Sequence, residues 1–338
     1  MSEDLAAQVH FGGPDLPPRA LRDLLRRRIV AVPPGGEIAW ATYYFRDRDL
    51  ASALIAASDR GVRVTVQIEG EPRRRQANRE VLAMLAAHGL NGGLVVHRPF
   101  PAFLHPHLHT KIYWFSHPVP SALVGSFNPS GDEPEDAEVV AEIGDQDRGH
   151  NLLVDLRDPA LVCALHSHVR GMHRPLARLR NLWPATGKDT RAWFYPRLSG
   201  TMAEQALGRA SQVRGCISHL KQGALTRALQ AVAGRGAQVS LVVHDTQRRV
   251  PGKVVQALRQ SGVEVRRYAH PDGLPMHAKF LLMDGEAWFG SYNFNPRSRW
   301  LNREILLSTR DPAILAPLHT RFEEISAAAL ALESRSGS

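Results

Sequence analysis

The feature that most constrains this chain is a short pattern of residues that occurs twice. His109-Thr110-Lys111 is followed by Gly125-Ser126-Phe127-Asn128, and His277-Ala278-Lys279 is followed by Gly290-Ser291-Tyr292-Asn293. Because side chains alternate faces along a strand, a histidine and a lysine two residues apart point the same way. Each copy therefore offers a nucleophile or base, a fixed cation and two neutral hydrogen-bonding groups. Two such copies facing each other predict a site that attacks a phosphodiester.

Longer segments around the two motifs also match, which indicates an internal duplication. Residues 53–62 and 228–237 are runs rich in Ala and Leu that end in Arg-Gly, and each precedes a β-branched run, at 64–68 and 239–243. Such a pair of runs is typical of a helix that ends at a glycine and is followed by a strand. The repeated alternation predicts α/β domains in which helices cover a largely buried sheet.

The length and punctuation of the chain divide it into two domains. A chain of 338 residues is long enough for two domains of ordinary size. We predict an N-terminal domain over residues 1–172, a linker region over 173–198 that Pro and Gly punctuate, and a C-terminal domain over 199–332. Each domain carries one motif. The duplication predicts two similar α/β/α sandwiches related by a pseudo-twofold axis, with the active site in the cleft between them.

The composition favours an anionic partner. The formal net charge is +9, which suits nucleic acid, an acidic membrane surface or phosphate groups. The two cysteines, Cys163 and Cys216, cannot build a disulfide framework and favour a reducing compartment. The sequence lacks a signal-peptide pattern and any run of about 18 apolar residues. We therefore expect a cytoplasmic protein, with peripheral contact to a membrane as a further option.

The motif residues resemble those of the phospholipase D superfamily. The shared pattern is His-x-Lys, an Asp five residues after the Lys, and Gly-Ser-x-Asn, all duplicated. The second copy contains the whole pattern, including Asp284, whereas the first copy has Ser116 in place of the Asp. The segment from Gly290 to Glu304 is most similar to the cardiolipin synthase and phosphatidyltransferase branch. The resemblance implies a phosphodiesterase that uses a phosphohistidine intermediate and needs no metal or other cofactor.

The resemblance also implies roles for the individual residues. The expected catalytic residues are His109, Lys111, His277, Lys279 and Glu304. The residues expected to bind or orient phosphate and its neighbours are Ser126, Asn128, Asn151, Asp284, Ser291 and Asn293. The lysines would hold the phosphate charge and the asparagines would act as neutral donors. The serines lack a triad-like context and are not expected to be nucleophiles.

The division of labour between the histidines follows from an alignment of the two copies. The sequence Arg-Asp-Pro-Ala recurs at 157–160 and 310–313, and aligning these segments puts Asn151 opposite Glu304. In the superfamily an acidic residue at this position orients a catalytic imidazole. We expect Glu304 to serve His277, with crossing between the halves as the alternative. His277 would then be the nucleophile and the other histidine the general acid, although the reverse assignment stays open.

Three other features of the sequence need an interpretation. His105, His107 and His109 alternate like metal ligands, but Lys111 continues the same face and opposes a metal, so no metal is predicted. The Cys216-x-x-His219 pair is interpreted as ordinary packing. An acidic insertion begins at residues 131–136 and continues to 145–147. It is either a solvated loop or a lid over the cleft.

The sequence therefore predicts a metal-independent phosphodiesterase or phosphatidyltransferase that acts on glycerophospholipids. A metal-independent nuclease of the same superfamily is the first alternative, favoured by the positive charge. A catalytically silent protein that keeps the fold as a scaffold is the second. The expected partner is a phospholipid or another phosphodiester, with nucleic acid as an option. A monomer is expected because one chain supplies both motifs.

Overall fold

Each half of the chain builds one mixed β-sheet. The computed structural model describes residues 7–99, 102–130, 145, 147–174, 181–197 and 202–336. The strands of the first half are β1 (Gln8–Gly12), β2 (Glu37–Thr42), β3 (Arg63–Glu69), β4 (Gly93–His97), β5 (Ile112–Phe115), β6 (Ser121–Gly125) and β7 (Asn151–Leu156). The strands of the second half are β8 (Ala185–Thr186), β9 (Thr190–Tyr195), β10 (Gln212–Ile217), β11 (Gln238–His244), β12 (Glu264–Tyr268), β13 (Lys279–Met283), β14 (Glu286–Gly290) and β15 (Glu304–Thr309).

The helices follow the same division of the chain. In the first half they are α1 (Ala20–Val30), α2 (Arg48–Asp59), α3 (Arg79–His88) and α4 (Pro159–Gly171). In the second half they are α5 (Met202–Leu207), α6 (Ala224–Gly234), α7 (Gly252–Gln260), α8 (Pro296–Trp300) and α9 (Pro312–Ser336). Short 3-10 turns lie at Arg75–Asn78 and Ala102–Leu104. The predicted helix–strand pairs are thus α2 with β3 and α6 with β11.

Apart from the additional edge strand β8 of the second sheet, the two sheets have the same topology, which confirms the α/β fold and its duplication. The first sheet has the order β4-β3-β2-β5-β6-β7-β1, and the second has β12-β11-β10-β13-β14-β15-β9-β8. In the first sheet β3 pairs in parallel with β2 and β4, and in the second sheet β11 pairs in parallel with β10 and β12. The remaining strand pairs of both sheets are antiparallel. The strands β5 and β13, which follow the two His-x-Lys motifs, lie near the middle of their sheets and are fully buried.

Local sequence signals end and begin the matching helices. After α2 and α6 the chain turns at Gly61 and Gly236, which both have a φ of +91°. This left-handed conformation favours glycine and explains the Arg-Gly pair at both positions. Helix α4 begins after Asp158, whose side chain accepts a hydrogen bond from Leu161 N at 2.9 Å.

Part of the predicted linker region belongs to the second sheet. Residues 173–198 include β8 and β9, and β9 pairs with β15 along its whole length. Trp193, Phe194 and Tyr195 of β9 are buried. Because this apolar run is buried in the sheet, it forms a strand although Pro and Gly residues flank it. In the first half the equivalent edge strand is β1, which comes from the start of the described chain and pairs with β7.

Three apolar cores hold the molecule together. One core lies between the first sheet and α1–α3, and a second lies between the second sheet and α5–α7. The third is shared by the two halves: it contains Ile112 from β5, Leu165 from α4, Phe280 from β13 and Phe322 from α9. Because the halves share a core, the ends of their central strands are held facing each other. No helix within the described residues has both the length and the apolarity needed to cross a bilayer.

Candidate active site

His109 is joined to the second half through the backbone. Leu108 forms a parallel bridge with Arg303, and His109 N donates a hydrogen bond to Arg303 O at 2.8 Å. Glu304 follows directly, and its Oε2 accepts a hydrogen bond from His109 Nδ1 at 2.8 Å. The predicted pairing of Glu304 with His277 is therefore wrong. The backbone crossing delivers this carboxylate to the histidine of the other half.

His277 is joined to the first half in the same way. Met276 forms a parallel bridge with His150, and His277 N donates to His150 O at 3.0 Å. Asn151 follows, and His277 Nδ1 lies 2.8 Å from Asn151 Oδ1, to which it donates. In both rings Nδ1 is thus used for orientation, which leaves the lone pair on Nε2.

The serines of the two motifs hold the residues that orient the histidines. Ser291 Oγ donates to Glu304 Oε2 at 2.7 Å, and Ser126 Oγ donates to Asn151 Oδ1 at 3.0 Å. Ser298 Oγ donates to the other oxygen, Glu304 Oε1, at 2.6 Å. All five side chains are buried. Each of the two motif serines is therefore one step removed from an imidazole, because its hydroxyl donates to the residue that orients the ring.

The two lysines are buried beside the histidines, and each ammonium group donates a hydrogen bond to a backbone carbonyl. Lys111 Nζ donates to His109 O at 2.7 Å, and Lys279 Nζ donates to His277 O at 2.8 Å. Lys279 Nζ also lies 3.2 Å from His277 Nε2. Burial lowers the pKa of Lys111 to about 7, although the charge of Glu304 raises it. Burial and the charge of Lys111 lower the pKa of Lys279, so an anion bound near both lysines would stabilise their charged forms.

The histidines are neutral in this environment. Burial lowers the pKa of His109 to about 4, against the opposing effect of Glu304. Burial also lowers the pKa of His277 well below its ordinary value, and the charges of Lys279 and Arg249 add to the effect. Burial raises the pKa of Glu304, but the hydrogen bonds from His109 and Ser298 and the positive charge around the carboxylate outweigh burial, so this pKa is lowered overall. Glu304 is therefore ionised beside a neutral imidazole.

The motif asparagines lie at the surface of the site. Asn128 and Asn293 both line the cleft between the halves. Asn128 Oδ1 accepts a hydrogen bond from Tyr44 N at 3.3 Å. In the described residues Asn293 Oδ1 is buried without a hydrogen-bond partner. The two amides are placed to contact a ligand that reaches both lysines.

Asp284 does not reach the cleft. Its carboxylate is exposed and accepts hydrogen bonds from Ser211 N at 2.8 Å and Gln212 N at 2.9 Å, at the start of β10. The expectation that it binds or orients phosphate is wrong, because it lies at the opposite end of β13 from the histidine. Ser116 has the same structural role in the first half, since its Oγ accepts a hydrogen bond from Glu37 N at 2.7 Å. The Asp-to-Ser difference between the copies leaves the site itself intact.

Comparisons with known proteins agree with this geometry. A family model described as "Cardiolipin synthase, PLD-like domain" matches residues 35–147 and 204–326, which include both His-x-Lys motifs. The chain belongs to the PLD-like family. The first matched segment contains β2–β6 of the first sheet, and the second contains β10–β15 of the second sheet.

Individual relatives of this PLD-like chain cover it to different extents. A mitochondrial cardiolipin hydrolase of Danio rerio is 28% identical over 141 residues, which are 40% of this chain and 62% of that relative's length. The structure of phosphatidylserine synthase from Haemophilus influenzae Rd KW20 covers 95% of this chain and 86% of its own, with a TM-score of 0.70 and 13% identity. Polyphosphate kinase from Porphyromonas gingivalis covers 95% of this chain and 47% of its own, with a TM-score of 0.62 and 16% identity. These two structures share the fold.

The PLD-like site opens into a cleft of about 580 Å³ between the halves. Its lining includes several residues outside the two motifs: Tyr43, Tyr44, Glu71, Arg73, His105, His107, His219, Arg248, Arg249, Arg297 and Asn302. Sequence reasoning missed Tyr43 and assigned His219 to ordinary packing, whereas both residues line the cleft, just after β2 and β10. The ring centroids of Tyr43 and His109 are 5.0 Å apart, and Lys111 Nζ lies 5.6 Å from the Tyr43 ring centroid. A comparison of the two copies could have identified both residues, because each comes just after an equivalent central strand.

The two remaining sequence predictions concern the insertion and the metal. Residues 131–144 and 146 lie outside the described residues, so the lid stays a prediction. At the end of the insertion, Asp147 Oδ2 accepts a hydrogen bond from Arg19 N at 2.8 Å. Across the part of the chain that the structure describes, no three His, Cys, Asp or Glu residues converge as ligands for a metal ion.

Proposed function

We propose that this PLD-like chain is a phosphodiesterase or phosphatidyltransferase that acts on glycerophospholipids through a phosphohistidine at His109. One observation carries the proposal: two imidazoles, each oriented by the opposite half, face one cleft beside two buried lysines. This arrangement supplies a nucleophile, a proton donor and positive charge at the same place, which are the needs of phosphodiester cleavage. A silent scaffold would have no need for such an arrangement.

The choice of His109 as nucleophile rests on the difference between Glu304 and Asn151. An imidazole that attacks phosphorus through Nε2 becomes positively charged, because Nδ1 keeps its proton. Glu304 accepts that proton's hydrogen bond at 2.8 Å and its negative charge stabilises the positive ring. Asn151 makes the same contact with His277 but carries no charge. His277 therefore gives up a proton more readily and suits the role of general acid.

The reaction then has two balanced steps. His109 Nε2 forms a bond to phosphorus while the bond from phosphorus to the leaving oxygen breaks, and His277 Nε2 gives its proton to that oxygen. Water or an alcohol next gives a proton to His277 and attacks phosphorus, which breaks the P–N bond and frees His109. Lys111 and Lys279 hold the non-bridging oxygens. The charge of the bound phosphate offsets theirs and raises the pKa of His277, so that it can carry a proton.

The lipid substrate is supported by the relatives. One relative, 28% identical over 141 residues, is named a cardiolipin hydrolase, and one structure that shares the fold is a phosphatidylserine synthase. Both names refer to phospholipids, one to hydrolysis and one to synthesis. The same covalent intermediate serves water and alcohols alike, so either outcome is compatible with the site.

The test is turnover of mixed phosphatidylglycerol and phosphatidylethanolamine vesicles in EDTA with a primary alcohol present. We expect phosphatidic acid or a phosphatidyl-alcohol from the wild type, and none from His109→Ala or His277→Ala. His88→Ala is the matched control, because His88 lies on α3 and contacts Asp59 at 2.7 Å. Failure of the wild type on lipid together with cleavage of single-stranded DNA would instead support the nuclease.

A further inference from the structure

Each of the two crossings that carry a catalytic histidine has a contact between an arginine and a histidine behind it. We call the contact of Arg321 with His150 the acid-side clamp, because the backbone of His150 holds the proposed acid. We call the contact of Arg303 with His97 the nucleophile-side clamp, because the backbone of Arg303 holds the proposed nucleophile. Among the described residues, the lining of the cleft does not include these four. Any effect they have on the reaction must therefore pass through the crossings.

In the acid-side clamp a guanidinium from α9 fixes the crossing segment. Arg321 Nη2 donates a hydrogen bond to His150 Nδ1 at 3.1 Å. The main chain of His150 in turn accepts a hydrogen bond from His277 N at 3.0 Å and donates one to Pro275 O at 2.9 Å. The ring of His150 also packs edge-on against Tyr268, with the ring centroids 4.5 Å apart. A displacement of His150 would therefore move the backbone that carries His277.

Two carboxylates and the N-terminal segment hold the guanidinium of the acid-side clamp. Both oxygens of Asp15 accept hydrogen bonds from Arg321, and Glu324 Oε2 accepts one from Arg321 Nη1 at 2.8 Å. A Cβ at Gly13 would lie 2.2 Å from Arg321 Nη2, so the chain passes directly against the guanidinium. The bidentate contact fixes the plane of the guanidinium as well as its position. The clamp thus ties the segment after β1 and helix α9 to one crossing.

The nucleophile-side clamp joins the other crossing to the last residue of β4. Arg303 Nη1 donates a hydrogen bond to His97 Nδ1 at 2.6 Å, and His97 Nε2 donates one to Gln67 Oε1 at 2.6 Å. Gln67 is fully buried, and its Nε2 donates to Val169 O near the end of α4. Arg303 O accepts the hydrogen bond from His109 N at 2.8 Å. The crossing segment is therefore fixed to the sheet and to a helix of the first half.

Both clamp histidines are neutral and can accept a hydrogen bond from an arginine. Burial and the charge of Arg321 lower the pKa of His150 to about 3, although Asp15 opposes them. Burial and the charge of Arg303 lower the pKa of His97 to about 3. A neutral imidazole has one nitrogen that accepts and one that donates. In each clamp the accepting nitrogen is Nδ1, and the positive charge of the donor strengthens this hydrogen bond.

The two clamps lie at equivalent places in the duplicated fold but are built from different elements. His97 is the last residue of β4, and Tyr268, which packs against His150, is the last residue of β12. On the nucleophile side the arginine is the crossing residue itself. On the acid side the arginine comes from α9, and the histidine is the crossing residue. Support of the crossing is therefore common to both halves, while the residues that provide it are not.

We propose that the two clamps position the two catalytic histidines and so control separate parts of the reaction. Arg321 holds His277 in place for proton transfer to the leaving oxygen. His97, through Arg303, holds His109 in place for attack on phosphorus. A misplacement of about 1 Å in either process can cost about 10²-fold in rate. The inference rests on the proposed function and adds positioning residues that do not touch the substrate.

The test compares two soluble phosphodiesters that differ in their need for a general acid. In bis(p-nitrophenyl) phosphate the leaving group needs little protonation, whereas dibutanoylphosphatidylglycerol releases an alcohol that needs a proton. We expect Arg321→Met to lower kcat/KM at least about tenfold for the lipid and less than about twofold for the aryl diester. His97→Phe should lower kcat/KM by a similar factor for both substrates, because attack on phosphorus is common to them.

Matched variants separate positioning from loss of structure. Arg321→Lys keeps a charged donor and His97→Gln keeps an accepting oxygen, so each should recover part of the lost activity. Arg214→Met is the control, since it removes a different contact of α9, that of Arg214 Nη1 with Glu323 Oε1 at 2.7 Å. It should leave both kcat/KM values unchanged. Asp15→Asn, at a side chain that is 48% exposed, loosens the same guanidinium and provides the acid-side test if Arg321→Met does not fold.

The possible outcomes have distinct meanings. Equal loss for both substrates in the acid-side variants, or no loss for either, overturns the inference and leaves the proposed function intact. A loss confined to the lipid in His97→Phe overturns the nucleophile-side assignment. A wild type that cleaves the aryl diester but not the lipid counts against the proposed lipid substrate. The comparison is then made with thymidylyl-3′,5′-thymidine, whose leaving alcohol also needs a proton. A wild type that cleaves none of the three diesters counts against the proposed function itself.

Discussion

At the scale of single residues, the two halves of the site differ most at Glu304 and Asn151. Both contact the Nδ1 of a histidine at 2.8 Å and both accept a hydrogen bond from a motif serine. The geometry is therefore nearly symmetric, while the charge is not. In a site with two buried lysines, one carboxylate decides which imidazole can carry a positive charge.

Replacement of Glu304 by Gln should change the pH dependence of catalysis. In the wild type we expect kcat/KM on a soluble phosphodiester to rise through about pH 4, as His109 loses its proton, and to fall above about pH 7, as Lys111 loses its own. Glu304 raises the pKa of both groups, so its removal lowers both. Both limbs of the profile should move to lower pH, and kcat should fall about 10²- to 10⁴-fold.

The control for this charge removal is Glu80→Gln, because Glu80 lies exposed on α3 with its side chain 73% accessible. Its pH profile should match that of the wild type. A Glu304→Gln profile with limbs at the wild-type positions would contradict the role given to the carboxylate.

The histidines should separate in a burst experiment with bis(p-nitrophenyl) phosphate. Its leaving group needs little protonation, so His277→Ala should still form the covalent intermediate and then stall, because no base activates water. We expect about one equivalent of p-nitrophenolate per enzyme and, in mass spectra of the quenched protein, a phosphoryl group on His109 that still carries the second p-nitrophenyl ester. His109→Ala should give no burst. A phosphorylated His277 in His109→Ala would reverse the assignment of the two roles.

At the scale of elements, the sequence predicted where strands form but not which segments of the two halves contact each other. Local periodicity depends on nearby residues alone, and it was enough to predict four elements. These are the two helical runs before β3 and β11 and the two apolar strands β5 and β13. The contact between Glu304 and His109 spans 195 residues and results from a crossing of two loops. Alignment of the copies reveals equivalence but not proximity, so it could not give this pairing. Strands β8 and β9 were missed because Pro and Gly flank them and their burial is a tertiary effect.

The junction of β14 and β15 offers a test of how the elements position the site. Gly290 has a φ of +148°, and a Cβ there would lie 2.3 Å from Ile305 O. Ser291 N donates to that same oxygen at 3.0 Å. Gly290→Ala should therefore push β15 away, displace Glu304 and lower the free energy of unfolding by about 2–4 kcal/mol. Urea denaturation and kcat, measured together, would check both effects.

The matched control is Gly234→Ala at the end of α6. A Cβ at Gly234 meets nothing within 4 Å. Alanine there should raise the free energy of unfolding by about 0.5–1 kcal/mol, because it favours the helix and restricts the unfolded chain. Unchanged stability and activity in Gly290→Ala would show that the close approach of the two strands does not hold the carboxylate in place.

At the scale of the whole molecule, the duplication gives one site rather than two. Each half supplies a histidine, a lysine and the residue that orients the other half's histidine, and the shared core around α4 and α9 keeps the halves together. The pseudo-twofold arrangement and the cleft between the halves were predictable, because the repeat itself implies them. The basic residues that line this cleft were not, since Arg73, Arg248 and Arg249 come from loops that no periodicity marks.

Mixing two inactive variants tests whether one chain really makes a complete site. Both orienting contacts join residues of the same chain, over 195 and 126 residues. If each chain closes its own site, an equimolar mixture of His109→Ala and His277→Ala should stay inactive, even after joint unfolding and refolding. If two chains exchange halves, refolding creates hybrid dimers in which one site has both histidines, and activity returns. Lipid turnover and sedimentation velocity on the same samples separate these cases, and we expect an inactive mixture that sediments as a monomer.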